Sequence, residues 1–393
     1  MLPLNVWGLS LGQALLISGN ILLVSVGALI GQQLAPTPAY TTLPIALQFL
    51  GLMSITLPAA LLMGWMGRKI GFLLGNLLGL VGAGLAYLAL LEHSFILFCS
   101  ATFLLGMAIG VGQQYRFAAV EACSPQQAAL AISLVMGGGV LAALIGPNLA
   151  IWSQAFYPDS PFLGAFAALF GLYLLTLLLI LLLPLPQPSP QEQARGGRPY
   201  RQLLQQPQLV AAILAGSLGY AVMVLLMTAT PLAMHQDGYA FHDTASIIQW
   251  HVLGMFLPSF ITGRLIQRFG TRHVIQAGCW LLLGCVLVSQ LGRDYWHFWV
   301  ALVALGIGWN FTFIGATHLL TQSYAPQEKA RVQGMNDFFV FGFSALASLL
   351  AGHLHHWLGW EQLNLWMLPC IALVMLALYG LKPRQAQPAQ NHS

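Results

Sequence analysis

The sequence predicts an all-α membrane protein: twelve transmembrane helices in two six-helix bundles related by a pseudo-two-fold axis. Three observations carry this: an extreme composition, twelve apolar runs, and a one-sided distribution of cations. Of 393 residues, 58% are hydrophobic and only 6% charged, with a mean hydropathy of +0.76. Soluble domains are about a quarter charged. So little charge cannot cover a water-facing surface, whereas a bilayer removes the need for that cover.

Apolar runs between polar or Gly/Pro breaks fall near 7–31, 42–65, 70–91, 95–120, 127–152, 161–185, 209–233, 243–266, 272–291, 296–322, 329–353 and 362–381. Most approach or exceed the roughly 20 residues that a helix needs to cross a bilayer. Pro44, Pro58 and Pro258 interrupt the second and eighth runs, and neighbouring helices can satisfy the backbone groups that proline frees. No basic segment or cleavage pattern precedes the first run, so it reads as a retained span.

Charge placement tests the map. With a cytoplasmic N-terminus, the inner loops hold Arg68, Lys69, Arg116, Arg195, Arg198, Arg201, Arg264, Arg268, Arg272, Lys329, Arg331, Lys382 and Arg384, thirteen of the fourteen cations. Arg293 alone falls outside, with Glu92, Asp159, Asp237, Asp243, Asp294 and Glu361. Positive residues stay on the cytoplasmic side, and one missed helix would scramble the pattern. Both termini are therefore expected in the cytoplasm, with a bacterial-type inner membrane as the location. The organisation expected is a bundle over 1–185, a Pro/Gln/Arg-rich cytoplasmic linker over 186–208, a second bundle over 209–383 and a tail over 384–393.

The halves repeat. GWMGRKIG (64–71) follows span two and GRLIQRFGTRHV (263–274) follows span eight, with Gly67 and Gly270 offset by 203 residues. SPQQAA (124–129) follows span four and APQEKA (325–330) follows span ten, with Pro125 and Pro326 offset by 201. Parallel repeats are a transporter architecture with the substrate site at the repeat interface. Here the whole chain resembles the major facilitator superfamily, whose loop signature is roughly G-x-L-x-D-R-x-G-x-R. The second half matches at Gly263, Leu265, Arg268, Gly270 and Arg272, with Gln267 in place of the acid; the first keeps Gly67, Arg68 and Lys69, with Gly64 at the acid position. The resemblance implies a cytoplasmic gate at these seven residues, Gly67, Arg68, Lys69, Gly263, Arg268, Gly270 and Arg272. The cations either latch the halves or merely orient the helices. GGGVLAALIGPNLA (137–150) loosely resembles the family's G-x-x-x-G-P antiporter element, which leans toward export or exchange. Thr102, where many drug/proton exchangers carry arginine, pulls the other way.

Ionisable groups inside a bilayer cost roughly 2.5–3.5 kcal/mol each on insertion scales, so each asks for a reason. Asp337 lies eight residues into span eleven, about 12 Å deep, and reads either as a coupling or substrate carboxylate or as a structural hydrogen-bond partner. Arg116 either snorkels to the surface or pairs with Asp337, Glu121 or a substrate anion. His251 and His318 read as cavity contacts or as packed histidines. Gln113, Gln114, Asn20, Asn310 and Asn336 complete the candidates for substrate or coupling contact. Since spans one, four, seven and ten line the cavity in the resembled fold, Asn20 and Asn310 are favoured among the intramembrane amides. The aromatic residues Trp309, Phe311, Phe313, Phe338, Phe339, Phe341 and Phe343 favour an organic solute, although some must face lipid.

The five cysteines form no CxxC pair and read as buried free thiols. No metal, cofactor or nucleic-acid site is expected, and no nucleotide-binding loop is present. The function expected is secondary transport of a small organic molecule by a monomer, leaning to export or exchange, with protons as a possible coupling ion. Proton-coupled uptake of a nutrient or vitamin is the alternative, and a non-transporting receptor or scaffold is the alternative from another class.

Overall fold

A computed structural model describes residues 2–37, 40, 43–154, 161–188 and 197–381. Arg195 and part of the linker, Asp159, and the tail with Lys382 and Arg384 lie outside the described residues. Among the described residues the secondary structure is helical throughout. The first six spans are Leu4–Leu34, Leu43–Met66, Arg68–Leu91, a broken span four (Phe95–Gly112 then Tyr115–Glu121), Ala128–Gln154 and Pro161–Leu182. The second six begin with Pro207–Gln236. Span eight is broken (Phe241–Phe256, Ser259–Phe269), and Thr271–Val288 and Tyr295–Thr321 follow. The last apolar stretch, Pro326–Tyr379, runs 54 residues. At 1.5 Å per residue it would reach about 81 Å, far more than one crossing needs. Gly359, at φ 74° and ψ 175°, divides it into span eleven and span twelve.

The repeat is structural as well as sequential. Gly67 (φ 92°, ψ 159°) joins spans two and three, and Gly270 (φ 84°, ψ 151°) joins spans eight and nine. Positive φ at a junction this tight is readily adopted only by glycine. The following cations then act alike. Lys69 Nζ donates to the Leu181 carbonyl at the end of span six, 2.7 Å. Arg272 Nη1 donates to the Leu381 carbonyl past the end of span twelve, 2.8 Å. Each serves carbonyls left open at a helix C-terminus. Pro125 and Pro326 each start a single 3₁₀ turn, Pro125–Gln127 and Pro326–Glu328, that leads into spans five and eleven.

Contacts between loops agree with the expected alternation. At one end, here called the basic face, the 2–3, 4–5, 8–9 and 10–11 loops and the linker meet each other and the last turn of span twelve. At the other, Arg293 donates to Glu361 Oε1 at 2.6 Å and to Asp237 Oδ1 at 3.0 Å, tying three loops of the second half together. Asn5 Nδ2 reaches the Pro184 carbonyl at 2.7 Å and Arg272 reaches the Leu381 carbonyl, so the start of span one and the end of span twelve both lie at the basic face. The cysteines are free thiols; Cys99, Cys279 and Cys285 are buried as expected, whereas Cys123, just past span four, and Cys370, midway along span twelve, are only half-buried.

The halves close on each other at the basic face through two matched pairings, span two on span eleven and span five on span eight. A Cβ on Gly64 would stand 2.7 Å from that of Ala330, and one on Gly263 would stand 2.8 Å from the Ala129 carbonyl oxygen. In lipid, helices associate through such close packing rather than through a hydrophobic drive. We predict that Gly263→Val, which meets backbone atoms that cannot turn aside, weakens the closed form by about 1–3 kcal/mol. Thermal denaturation in detergent should then show a lower midpoint; an unchanged one would show that this contact does not hold the halves.

Candidate functional site

Arg116 follows the junction at Gln113–Gln114 in span four and does not reach the surface. Its side chain is 1% exposed and pairs with Asp337 of span eleven, which is fully buried. This is the pairing that the sequence raised against snorkelling. Asp337 also accepts from Gln114 Nε2 at 2.8 Å and from its neighbour Asn336 Nδ2 at 3.0 Å. The Arg116 guanidinium lies 4.7 Å from the centre of Phe117 in its own half and 4.7 Å from that of Phe313 in the other. Gln113 Oε1 accepts from Arg116 Nη1 at a long 3.4 Å, and Arg116 Nε has no partner among the described residues. Aromatic faces partly replace the hydration that a buried cation has lost.

A second cluster lies toward the basic face. Arg68 Nη2 donates to Glu121 Oε1 at 2.6 Å, within the first half, and to Gln333 Oε1 of span eleven at 2.5 Å. Lys329 Nζ reaches the same Glu121 oxygen at 3.2 Å from across the seam. Gln333 Nε2 in turn donates to the Tyr324 hydroxyl, 2.6 Å. Arg68 Nη1 donates to Gln114 Oε1 at 2.9 Å, so the two clusters form one network. The ion pairs that join the halves among the described residues, Arg116–Asp337 and Lys329–Glu121, both belong to it.

Of the expected gate cations, Arg68 alone among the described residues bonds across the seam in this way. Lys69 and Arg272 cap helix ends, as above. Arg268 is exposed and lies over Phe269. Gln267, at the vacated acid position, does cross: its Nε2 donates to the Gln126 carbonyl, 2.8 Å.

Four candidates lie away from this network. Asn310 Nδ2 donates to the Met255 carbonyl and to Ser259 Oγ, each at 2.6 Å, while its Oδ1 accepts from Thr262, 2.6 Å. These bonds bridge the break that Pro258 makes in span eight, so the expected cavity amide is buried and engaged within its own half. His251 is buried with Nδ1 against the Leu302 carbonyl at 2.8 Å, and His318 is bonded to Thr271 Oγ1 at 2.8 Å. Both are packed within the second half. Asn20 is half-buried on span one, and its Oδ1 accepts from Gln48 Nε2 at 2.7 Å.

Sequence reasoning did not single out Gln13, Gln48, Tyr220, Tyr324 or Gln333. Tyr220 sits near the middle of span seven with its ring edge-on to Trp309, Phe313 and Phe341 at 5.2–5.8 Å, and Trp309 stacks on Phe313 at 5.1 Å. Gln13 is 2% exposed, with Oε1 unpartnered among the described residues. A polar side chain at that depth was a signal, since such groups in spans seldom lack a role. Of the expected aromatic residues, Phe338 and Phe343 are exposed at the surface, so the wall is made by Trp309, Phe313 and Phe341.

The arrangement is a polar network in a low-dielectric seam between two symmetric bundles, closed at one end. A sequence profile of the Major Facilitator Superfamily matches residues 9–257 and 220–393. The chain belongs to the Major Facilitator Superfamily. It is thus a membrane transporter of a small molecule and not an enzyme. It is 42% identical over 385 residues to the riboflavin transporter RfnT of Brucella anthropi, covering 97% of each chain. An uncharacterised transporter of the superfamily from Bacillus subtilis, YdeG, is 31% identical over 84% of this chain and 80% of its own. Among solved structures, the superfamily transporter FucP in its outward conformation matches with a TM-score of 0.78 at 17% identity, over 95% of this chain and 97% of its own. A human organic anion transporter matches with a TM-score of 0.75 at 14% identity, over 95% and 98%. At such identities these structures attest the superfamily fold alone.

A buried pair loses more when one partner goes than when both do, because a lone charge remains without compensation. Arg116→Ala and Asp337→Ala should each destabilise the protein by roughly 3–5 kcal/mol, with the double variant melting above either single one. Strictly additive losses in that double-mutant cycle would show that the two side chains do not depend on each other.

Proposed function

We propose that this protein imports riboflavin, or a planar vitamin of similar ring chemistry, in symport with protons, and that its basic face is the cytoplasmic one. The observation that carries the reading is the end-to-end likeness to the riboflavin transporter RfnT, at 42% identity with 97% of both chains aligned. Tyr220 supports it: a half-buried ring near mid-span, backed by Trp309, Phe313 and Phe341, is a surface on which a flat heterocycle can stack. Asp337 supplies a carboxyl able to exchange a positive partner for a proton as the seam opens. The sidedness follows from the retention of cations in cytoplasmic loops.

The export element in span five carries less weight once its glycines are placed. Gly138 packs on the Ser10 carbonyl and Gly146 on Ser18 and Ile21. They let spans one and five approach within one half, and such a contact has no direction. The receptor or scaffold alternative yields to membership in a transporter superfamily.

The test is uptake of radiolabelled riboflavin into proteoliposomes. Saturable accumulation driven by an acidic exterior is expected; no saturable flux from folded protein, or flux only outward, would reject import. Asp337→Asn should abolish pH-driven accumulation yet keep exchange of substrate, and accumulation at wild-type level would remove Asp337 from coupling. Tyr220→Ala should weaken riboflavin affinity roughly tenfold, at the low end of the 1–3 kcal/mol typical of base–aromatic stacking. An unchanged KM would place the ring elsewhere.

A further inference from the structure

We propose that Gln114 is a positioning residue that links the basic-face gate to the protonation of Asp337, so that loading the proton releases the gate. This rests on the proton-symport reading above. Its basis is the wiring of one side chain. Gln114 is fully buried. Its Oε1 accepts from Arg68 Nη1 at 2.9 Å, and its Nε2 donates to Asp337 Oδ2 at 2.8 Å. An amide has one accepting and one donating end. Arg68 can only donate, so it fixes the accepting end toward itself and leaves the donating end facing Asp337.

The consequence is directional. While Gln114 is held this way, Asp337 meets donors at both oxygens: Arg116 and Asn336 at Oδ1, and Gln114 at Oδ2. That environment suits the ionised carboxylate. A proton on Oδ2 would point at the Gln114 amide hydrogens. Turning the amide over would satisfy the new O–H but set the amide hydrogens against the Arg68 guanidinium. A proton on the Oδ2 lone pair that faces Gln114 therefore costs either the bond from Gln114 to Asp337 or the bond from Arg68 to Gln114.

Arg68 is also the residue that reaches Gln333 across the seam and holds Glu121, the partner of Lys329. Losing the Gln114 bond removes one of the contacts that hold Arg68 in place and so weakens these two cross-seam contacts, although Arg68 keeps its bonds to Glu121 and Gln333. The reverse follows by linkage: an intact Arg68–Gln114–Asp337 chain opposes a proton at Oδ2. The charged and titratable groups around this carboxylate are Arg116 from span four, Arg68 from span three, and Tyr220 of span seven beside Arg116; Glu121 and Lys329 stand one step further out. Phe313 of span ten, against Arg116, and Leu57 and Ala60 of span two, against Gly334 one turn before Asp337, add no charge.

The test reads gate opening separately from flux. Spin labels are placed on cysteines replacing exposed Ser124 and Gln322 on the basic face, one in each half, after replacement of the five native cysteines. In this background the distance between labels should lengthen as pH falls. Gln114→Leu should flatten that response and lower pH-driven accumulation roughly tenfold, the loss expected from a coupling of about 1.4 kcal/mol. Gln114→Glu keeps an acceptor for Arg68 but sets a second carboxyl beside Asp337, which raises the affinity of the pair for a proton. It should move the opening midpoint to higher pH, a shift that a merely structural role would not produce. A wild-type pH response in both Gln114 variants, with Asp337→Asn unresponsive, would overturn the relay and leave the proton reading intact. A wild-type response in Asp337→Asn would reject the proton reading itself.

Discussion

The Arg116–Asp337 pair is the constraint around which the rest is arranged. Its members come from opposite halves and are 1% and 0% exposed. Two charges brought out of water are held only if their attraction and further hydrogen bonds offset the lost hydration, and the balance is often near zero. The surroundings provide those bonds and little more: two amides on the carboxylate and two aromatic faces on the guanidinium. Such a pair is weak as a permanent staple. It suits a contact that must form and break, because either ion finds another partner or water once the seam opens.

The clamp on the opposite face shows the contrast. Arg293 holds Asp237 and Glu361 with all three partly exposed, and all three belong to the second half. It stiffens one bundle and says nothing to the other. The linker behaves similarly at the basic face. Arg198 grips Glu328 through Nε at 2.8 Å and Nη2 at 2.6 Å, and that carboxylate holds the Arg198 guanidinium above its ordinary range. Bonds within a body are made redundantly; bonds between the bodies are few and interlocked.

Sequence alone disclosed the framework because its signals are periodic or repeated. Span count and the relation of the halves came from apolar runs and the Gly67/Gly270 and Pro125/Pro326 correspondences. Arg116, Gln114 and Asp337 were legible because polar groups at that depth need partners. Their mutual pairing was one of several alternatives, since distance across a seam leaves no mark on spacing within a helix. Asn310 misled for a physical reason: the proline break in span eight lies 52 residues away in sequence, and only the fold shows that the amide bridges it. Gln333 and Tyr324 were overlooked as ordinary residues near a helix start, and Glu121 was weighed as a partner for the wrong arginine.

The symmetry and the chemistry divide between different residues. Lys69 and Arg272 do the same work in the two halves, and so do Gly67 and Gly270. Arg68 has no such counterpart: at offset 203 stands Thr271, bonded to His318 within its own half. An alternating carrier needs matched bodies that rock about a common seam, and it also needs bonds that favour one state over the other. In lipid the hydrophobic effect supplies little drive between helices, so that preference comes from close packing and from polar bonds at the seam. The interlocked cation stands in one half alone, so these polar bonds gather in a single network that links Arg68, Gln114 and Asp337.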